Sequence, residues 1–320
     1  MTTTQLMAWS ALGIYVLITV ALTIRGALRT NSLSSYAVGN RDIAPAWVGL
    51  SLVAQITSVA TFVINPGLIY LYGLSGLLGF GLAAGSGLML GLLLFTRKFR
   101  EMGTQVQALT VPQWIGARYE SKGLRLFFAL ISLVLIAFVV LIVVALAILY
   151  SKLLGVSSDK VVIGTVVFVF GYVMIGGANT HTYTNAIQAV IMLIVAFALI
   201  YSGASLFWEG EGLFAKLAAM DPVLTAWSNP KSLYFRNLFE VFFCNFLVGL
   251  AIVCQPHIVS KALYLKDDKQ VNTYLIVALA GGFVFMLVML VGLYAKVTIP
   301  PTRPDAVVTM YILKTFTPAS

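Results

Sequence analysis

Long apolar runs separated by short polar segments occupy almost the whole of this 320-residue chain. A helix needs about 20 mainly apolar residues to cross the hydrocarbon core of a bilayer. Eight runs reach or approach this length, with approximate bounds 7–24, 46–72, 74–95, 124–153, 161–175, 183–207, 234–253 and 271–295. The pattern predicts an all-α protein with about eight membrane-spanning helices.

The composition agrees with this pattern. Hydrophobic residues make up 60% of the chain and charged residues 10%, and the mean hydropathy is +0.97. Soluble globular domains contain about 25% charged residues. Because no charged or Pro/Ser-rich linker divides the apolar runs, we expect residues 1–320 to form a single transmembrane domain.

The charge distribution predicts an orientation in the cell membrane. The net charge is +9, but the basic residues are spread over the loops and do not gather with stacking aromatic residues, so they do not indicate nucleic-acid binding. The loops after the first, third, fifth and seventh runs, called the odd loops below, contain 12 Lys and Arg residues, and the other loops contain 8. Cytoplasmic loops carry such an excess. We therefore expect the amino terminus outside.

Groups that carry enzyme or metal chemistry are sparse. Cys244 and Cys254 both fall in the seventh run, and His181 and His257 lie in separate loops. Neither pair has the spacing of a metal-binding motif. No nucleophile, metal cluster or pair of carboxylates lies at membrane depth, so we expect neither an enzyme nor a transition-metal site.

Glu240 is the acidic residue that falls inside a predicted span, about two turns into the seventh run. A carboxylate at this depth is costly unless it is paired, protonated or facing water. It could contact a cation or a substrate near the outer vestibule. It could equally form an ion pair with Arg236, four residues earlier on the same helix face.

The second run is interrupted by polar residues. Its sequence SLVAQITSVATFVINPG contains Gln55, Thr57, Ser58, Thr61 and Asn65 before Pro66 and Gly67. Irregular backbone at membrane depth is tolerated where it is buried in protein or lines a cavity. Unwinding near 54–57 would expose carbonyl oxygens that can replace the water shell of a sodium ion. Alternatively, the hydroxyl groups bond back to carbonyls one turn earlier within an unbroken helix.

A segment rich in small and hydroxyl residues, GGANTHTYTNAIQA, joins the fifth and sixth runs. Gly176 and Gly177 are typical of a tight turn. Thr184 or Asn185 could cap the helix that follows. A direct role in ligand binding is the alternative interpretation of these polar residues.

Five segments together resemble the sodium:solute symporter family, which includes proline, pantothenate, acetate, iodide and sodium/glucose carriers. They occur in the expected order relative to the spans: SYAVGNRDIAP, SVATFVINPGLIYLYG, LTVPQWIGARY, GGANTHTYTNAIQAVIM and CQPHIVSKALYLKDDK. The resemblance implies a LeuT-type bundle, with two inverted five-helix repeats after an extra first helix. The second to sixth runs would form the first repeat, and the seventh and eighth would open the second.

The resemblance also assigns binding residues. Backbone carbonyls at Ala54 and Thr57 would hold a sodium ion together with hydroxyl groups of a later helix, which is expected beyond Ser320. The solute would lie beside this ion, in contact with Gln55, Ile56 and Ser58 on the second run and with Phe246, Val248 and Gly249 on the seventh. Ile56 departs from the polar residue of proline and sugar carriers, and Asn185 replaces an Asp that many members have.

These expectations lead to a function. The resemblance implies sodium-coupled symport of a small polar organic solute across the cytoplasmic membrane. The segments SVATFVINPG, YLKDDK and VTIPPTRPD look closest to pantothenate- and other carboxylate-carrying members. The expected partners are the solute, the sodium ion and the lipid bilayer. The alternative is a symporter-like membrane input domain of a sensory kinase, which the coding sequence after Ser320 would reveal.

Overall fold

The computed structural model describes residues 3–39, 42–57 and 60–316, and these residues are almost entirely helical, with no strand. In chain order the α-helices are α1 (Thr3–Ala27), α2 (Leu33–Val38), α3 (Pro45–Ile56), α4 (Asn65–Tyr72), α5 (Leu74–Gly76), α6 (Gly85–Gln105), α7 (Val111–Arg118), α8 (Lys122–Leu154), α9 (Ser158–Ser202), α10 (Leu213–Met220), α11 (Asn245–Ile252), α12 (Pro256–Val259), α13 (Asp268–Val288), α14 (Val291–Thr298) and α15 (Val307–Phe316). Wider π-helical turns occupy Ala60–Ile64, Leu77–Ala84 and Phe239–Cys244. Short 3₁₀ segments occupy Ala204–Phe207, Pro222–Thr225, Ser260–Tyr264 and Pro304–Ala306. The all-α prediction is confirmed.

Five helical stretches in the described part of the chain are long and apolar enough to cross a membrane. They are Gln5–Ala27, Leu74–Gln105, Lys122–Val144, Ser158–Phe207 and Asp268–Thr298. Two further spans are bent: Pro45–Ile56 continues as Thr61–Tyr72 at 58°, and Phe239–Ile252 continues as Pro256–Tyr264 at 57°. If each bent pair is one span, the count is up to seven, against eight apolar runs in the sequence.

The difference lies in α9, which contains both the fifth and the sixth run. A straight helix of 45 residues would be roughly 67 Å long, more than twice the bilayer core. The backbone is non-helical at Gly177, with φ 56° and ψ −150°. Tyr15 of α1 contacts both Phe168, at 6.4 Å between ring centroids, and Gln188, at 2.5 Å. The chain therefore folds back at Gly177 into a first arm (158–176) and a second arm (178–202).

This hairpin corrects the predicted loop between the fifth and sixth runs. The turn takes a single residue, and the helix resumes at Ala178. Thr184 and Asn185 lie buried inside the second arm, and Thr184 Oγ1 donates to the Thr180 carbonyl at 3.0 Å. Their predicted role as helix caps is wrong, because the chain turns earlier than the polar segment indicated.

The odd loops gather at one end of the bundle, called the odd face below. Arg100 at the end of α6 pairs with Asp268 at 2.5 Å, and the Tyr264 hydroxyl donates to the Ala37 carbonyl at 3.5 Å. The other loops gather at the opposite end, the even face, where Asn229 donates to the Tyr72 carbonyl at 3.4 Å. The chain thus alternates between two faces as the apolar runs predict.

Two hydrophobic clusters surround α3, one toward each face. Leu52 belongs to the cluster of the odd face, and Val53 belongs to the cluster that extends toward the even face. Glycines let α13 approach α3 closely: a Cβ on Gly281 would lie 2.6 Å from Val53 Cγ2, and one on Gly49 would lie 2.9 Å from the Tyr274 carbonyl oxygen. This packing holds the end of α3 in the centre of the bundle.

Candidate functional site

The break in the second span lies at Thr57. Helix α3 ends at Ile56, and Thr57 is extended, with φ −100° and ψ 105°. The span resumes at Thr61 with a change of direction of 58°. The Thr57 hydroxyl also donates to the Val53 carbonyl, one turn earlier, at 2.7 Å. The interruption of the helix and the hydroxyl-to-carbonyl bond, given as alternatives from the sequence, therefore occur at the same residue. The predicted contact residue Ser58 lies outside the described residues.

Ending a helix inside the bundle leaves carbonyl oxygens without their usual partners. The last four carbonyls of a helix lack intrahelical amide donors, and in α3 the Thr57 hydroxyl takes one of them, that of Val53. Ala54 lies in this last turn and is half-buried. Transporters coordinate their coupling ions with backbone oxygens at interrupted helices of this kind.

A cavity of about 280 Å³ lies against this break. The two bent spans, the Leu74–Gln105 span and α13 enclose it. Its lining comprises Ile56, Thr57, Thr61, Asn65, Phe80, Ala84, Gly85, Leu88, Met89, Asn245, Val248, Ile252, Gly282, Phe285, Met286 and Met289. The wall is mainly apolar, with a few hydroxyl and amide groups, as is typical of small-molecule sites.

The structure describes five of the six predicted solute contacts, and only two of these five line the cavity. Ile56 and Val248 line the cavity. Gln55 points elsewhere, and its Nε2 lies 3.0 Å from His181 Nε2. Phe246 and Gly249 do not belong to the lining. Their backbone packs closely on the Leu74–Gln105 span: a Cβ on Gly87 would collide with the Phe246 carbonyl oxygen, and one on Gly249 would collide with the Ala84 carbonyl oxygen.

Glu240 forms the predicted ion pair. Its Oε1 lies 2.6 Å from Arg236 Nη2, and its other oxygen accepts from the Arg236 backbone N–H at 3.0 Å. The guanidinium group is largely exposed. Glu240 does not belong to the cavity lining, so the carboxylate has its partner at the edge of the bundle.

Asn245 is a site residue that sequence reasoning missed. It is buried, and its Nδ2 donates to the Glu240 carbonyl at 2.7 Å across the π-helical turn Phe239–Cys244. The sequence could have indicated this residue, because Asn245 is a single amide in the apolar run EVFFCNFLVG. Polar side chains at membrane depth usually face the protein interior or a water-filled cavity. The sequence did not indicate the residues that line the cavity at the end of α13, because Phe285, Met286 and Met289 are apolar residues common in any membrane span.

The chain is similar in sequence to known membrane transporters. The family model described as "Sodium:solute symporter family" matches residues 36–312. The sodium/pantothenate symporter of Haemophilus influenzae is 26% identical over 293 residues, which is 89% of this chain and 59% of that protein. A sodium/proline symporter of Staphylococcus aureus is 28% identical over 264 residues, or 81% of this chain and 50% of that protein.

A solved structure shows the same fold. It is described as the substrate-bound outward-open state of a Na⁺-coupled sialic acid symporter, and it matches with a TM-score of 0.74 at 17% identity over 97% of this chain and 66% of that one. This match confirms the LeuT-type helical bundle. The chain spans about half to three-fifths of the length of the curated relatives that it matches. With its several apolar spans, the chain belongs to the sodium:solute symporter family as a multi-pass membrane protein.

Proposed function

We propose that this chain is part of a sodium-coupled symporter that carries a small organic solute across the plasma membrane. The observation that carries the proposal is the extended backbone at Thr57 beside a cavity that both bent spans enclose. Irregular backbone at this depth, next to a cavity, is the arrangement that secondary transporters use to bind ions and solutes. The names of the relatives, which are sodium symporters, support the same function.

The sodium ion is proposed to bind the carbonyl oxygens of Ala54 and Thr57. Both residues lie at the end of α3, and the last carbonyls of a helix lack amide donors within that helix. An ion that binds one conformation of the break more tightly than another shifts the equilibrium between them. The same differential affinity couples the ion to a solute in the adjacent cavity, because coupling between two sites is reciprocal.

The solute is proposed to occupy the cavity between Ile56 and Val248. Thr61, Asn65 and Asn245 supply the polar groups of this wall. The volume of about 280 Å³ limits the solute to a small molecule. A carboxylate is the favoured class, since two of the relatives are named as pantothenate symporters.

Uptake by cells that express the complete reading frame tests this function. Radiolabelled pantothenate and proline serve as probes, with external sodium replaced by potassium at constant ionic strength. We expect uptake of at least one probe to depend on sodium. Uptake above the empty-vector background that is equal in sodium and potassium would contradict the proposed coupling.

A further inference from the structure

Polar side chains from three distant parts of the sequence lie near the odd face, beside the cavity but outside its lining. Gln55 lies in the last turn of α3, His181 lies at the start of the second arm, and Lys261 lies in the segment Ser260–Tyr264. Gln55 Nε2 is 3.0 Å from His181 Nε2. Lys261 Nζ is 3.4 Å from the hydroxyl of Thr182, the residue after His181. We call Gln55, His181 and Lys261 the inner polar cluster.

Lys261 is buried, and no described residue supplies an opposite charge to it. The residue is 1% exposed, and besides the Thr182 hydroxyl its Nζ faces the Tyr264 ring, 4.7 Å from the centroid. The ion pairs of the described residues all join other side chains. Burying an ammonium group is costly unless a counter-charge compensates it. A neutral hydroxyl and a ring face compensate it only in part.

His181 supplies a second donor without a partner. The amide nitrogens of Gln55 and Asn185 lie 3.0 and 3.4 Å from His181 Nε2. An amide nitrogen donates, so with the amides oriented in this way Nε2 accepts, and the matching neutral tautomer of the ring carries its proton on Nδ1. His181 Nδ1 is buried and has no hydrogen-bond partner among the described residues.

We propose that the inner polar cluster is a carboxylate-binding site, with Lys261 Nζ and His181 Nδ1–H as the donors. A carboxylate has two oxygens and about four lone-pair sites, so it can accept from both groups. Hydrogen bonds to an ionised group are about twice as strong as neutral ones. Gln55 Oε1, which is buried and has no partner in the described part of the chain, accepts from a hydroxyl or amide group of the same molecule.

The position of the cluster makes it an inner site for the solute, a claim that rests on the proposed function. Gln55 directly precedes Ile56, which lines the cavity, so cluster and cavity meet at the end of α3. Helix α3 and the segment Ser260–Tyr264 are the odd-face halves of the two bent spans. When these halves move apart to open the odd face, a carboxylate that leaves the cavity passes Lys261.

Thermal unfolding of the purified chain in detergent, titrated with sodium acetate, tests the site. Acetate presents the carboxylate group alone, and acetamide with an equal concentration of sodium chloride is the neutral control of similar shape. A ligand that binds the folded state raises the unfolding temperature in a saturable way. We expect acetate to raise it and acetamide to leave it unchanged.

Three variants assign the response to the lysine. Lys261→Met removes the charge at similar length, and because an apolar group then replaces an unpaired buried charge, the variant is expected to fold at least as stably as the wild type. Losing one charge-assisted hydrogen bond should raise the acetate concentration at half-saturation at least about tenfold. Lys261→Arg should keep the response. Lys296→Met is the matched control, since Lys296 Nζ lies 4.6 Å from the centroid of the Tyr70 ring.

A wild-type protein that does not respond to acetate would overturn the site, and so would a response that Lys261→Met retains in full. Lys261→Gln provides a second charge-free variant if the methionine variant does not fold. Failure of the proposed function has a different signature. Uptake by the complete reading frame would then be independent of sodium, while the acetate response and its loss in Lys261→Met would persist.

Discussion

Replacing Gly177 by alanine tests the one-residue hairpin that separates the two arms. Gly177 has φ 56° and ψ −150°, a combination that essentially only glycine adopts. An added Cβ would lie 2.7 Å from the ring of Tyr36 and 2.8 Å from the Tyr36 carbonyl oxygen, closer than real side chains approach. The substitution therefore strains the backbone and displaces Tyr36 at the same time.

Both effects have an expected magnitude. Holding a residue other than glycine in this backbone region costs about 1–3 kcal/mol. Overpacking a filled site costs about 1–3 kcal/mol more. Because one of the colliding atoms is a carbonyl oxygen of α2, it cannot turn away as a flexible side chain can. We expect Gly177→Ala to lower the free energy of unfolding by about 2–6 kcal/mol.

The assay is thermal unfolding of the purified variants in one detergent, followed by the far-ultraviolet circular dichroism of the helices. Gly171→Ala in the first arm is the matched control, because no described atom lies within 4 Å of its added Cβ. Alanine in a helix interior is favoured over glycine by up to about 1 kcal/mol, so the control should unfold at the wild-type temperature or slightly above. Equal unfolding temperatures for the two variants would refute the hairpin geometry.

Three further predictions concern the cavity and two carboxylates. Val248→Trp fills the cavity and should abolish solute uptake by the complete reading frame. Leu247→Trp, at the neighbouring position outside the lining, should retain uptake. Equal uptake by the two variants would contradict the assignment of the cavity as the solute site. Glu240→Gln should leave uptake and its sodium dependence nearly unchanged, because an ion pair at the edge of the bundle contributes little to the stability of the protein. A large rise in the sodium concentration needed for half-maximal uptake would instead indicate that Glu240 contacts the cation. The Val223 backbone N–H donates to the Asp221 carboxylate and holds the pKa of Asp221 below its usual value. This hydrogen bond therefore stabilises the turn at pH values above the pKa that Asp221 has in the unfolded chain, and the stabilisation is lost as the pH falls through the lower pKa of the folded chain. Hydrogen exchange of the Val223 amide measures this, and equal protection below the folded-state pKa would contradict the prediction.

The sequence was sufficient for the all-α membrane architecture and for an interruption of the second run, although the helix continues through Ile56 and is not unwound from residue 54. Apolar runs of membrane length leave few alternatives to helices, and the polar residues after α3 mark the interruption that the structure has at Thr57. The turn at Gly177 falls on one of the two predicted glycines, but the loop predicted to follow it is wrong. The following segment reads as a loop from its composition, yet its hydroxyl groups bond within the second arm, as Thr184 does.

Directions of side chains at the break could not be predicted in the same way. Consecutive helix residues differ by about 100° in direction, and a helix end changes this phase by an amount that only the surrounding packing fixes. Gln55 therefore turns to His181, whereas Ile56 and Thr57 face the cavity. Residues that α13 contributes to the cavity wall were equally hidden, because a cavity-lining methionine and a lipid-facing one have the same hydropathy.

The end of α3 joins the cavity to the inner polar cluster through adjacent residues. Thr57 and Ile56 line the cavity, and Gln55 bonds to His181. A cation bound to the carbonyls of this last turn would fix the direction of all three residues together. By linkage, if a carboxylate bound in the cluster changes the affinity of this helix end for a cation, the cation changes the affinity for the carboxylate by the same factor.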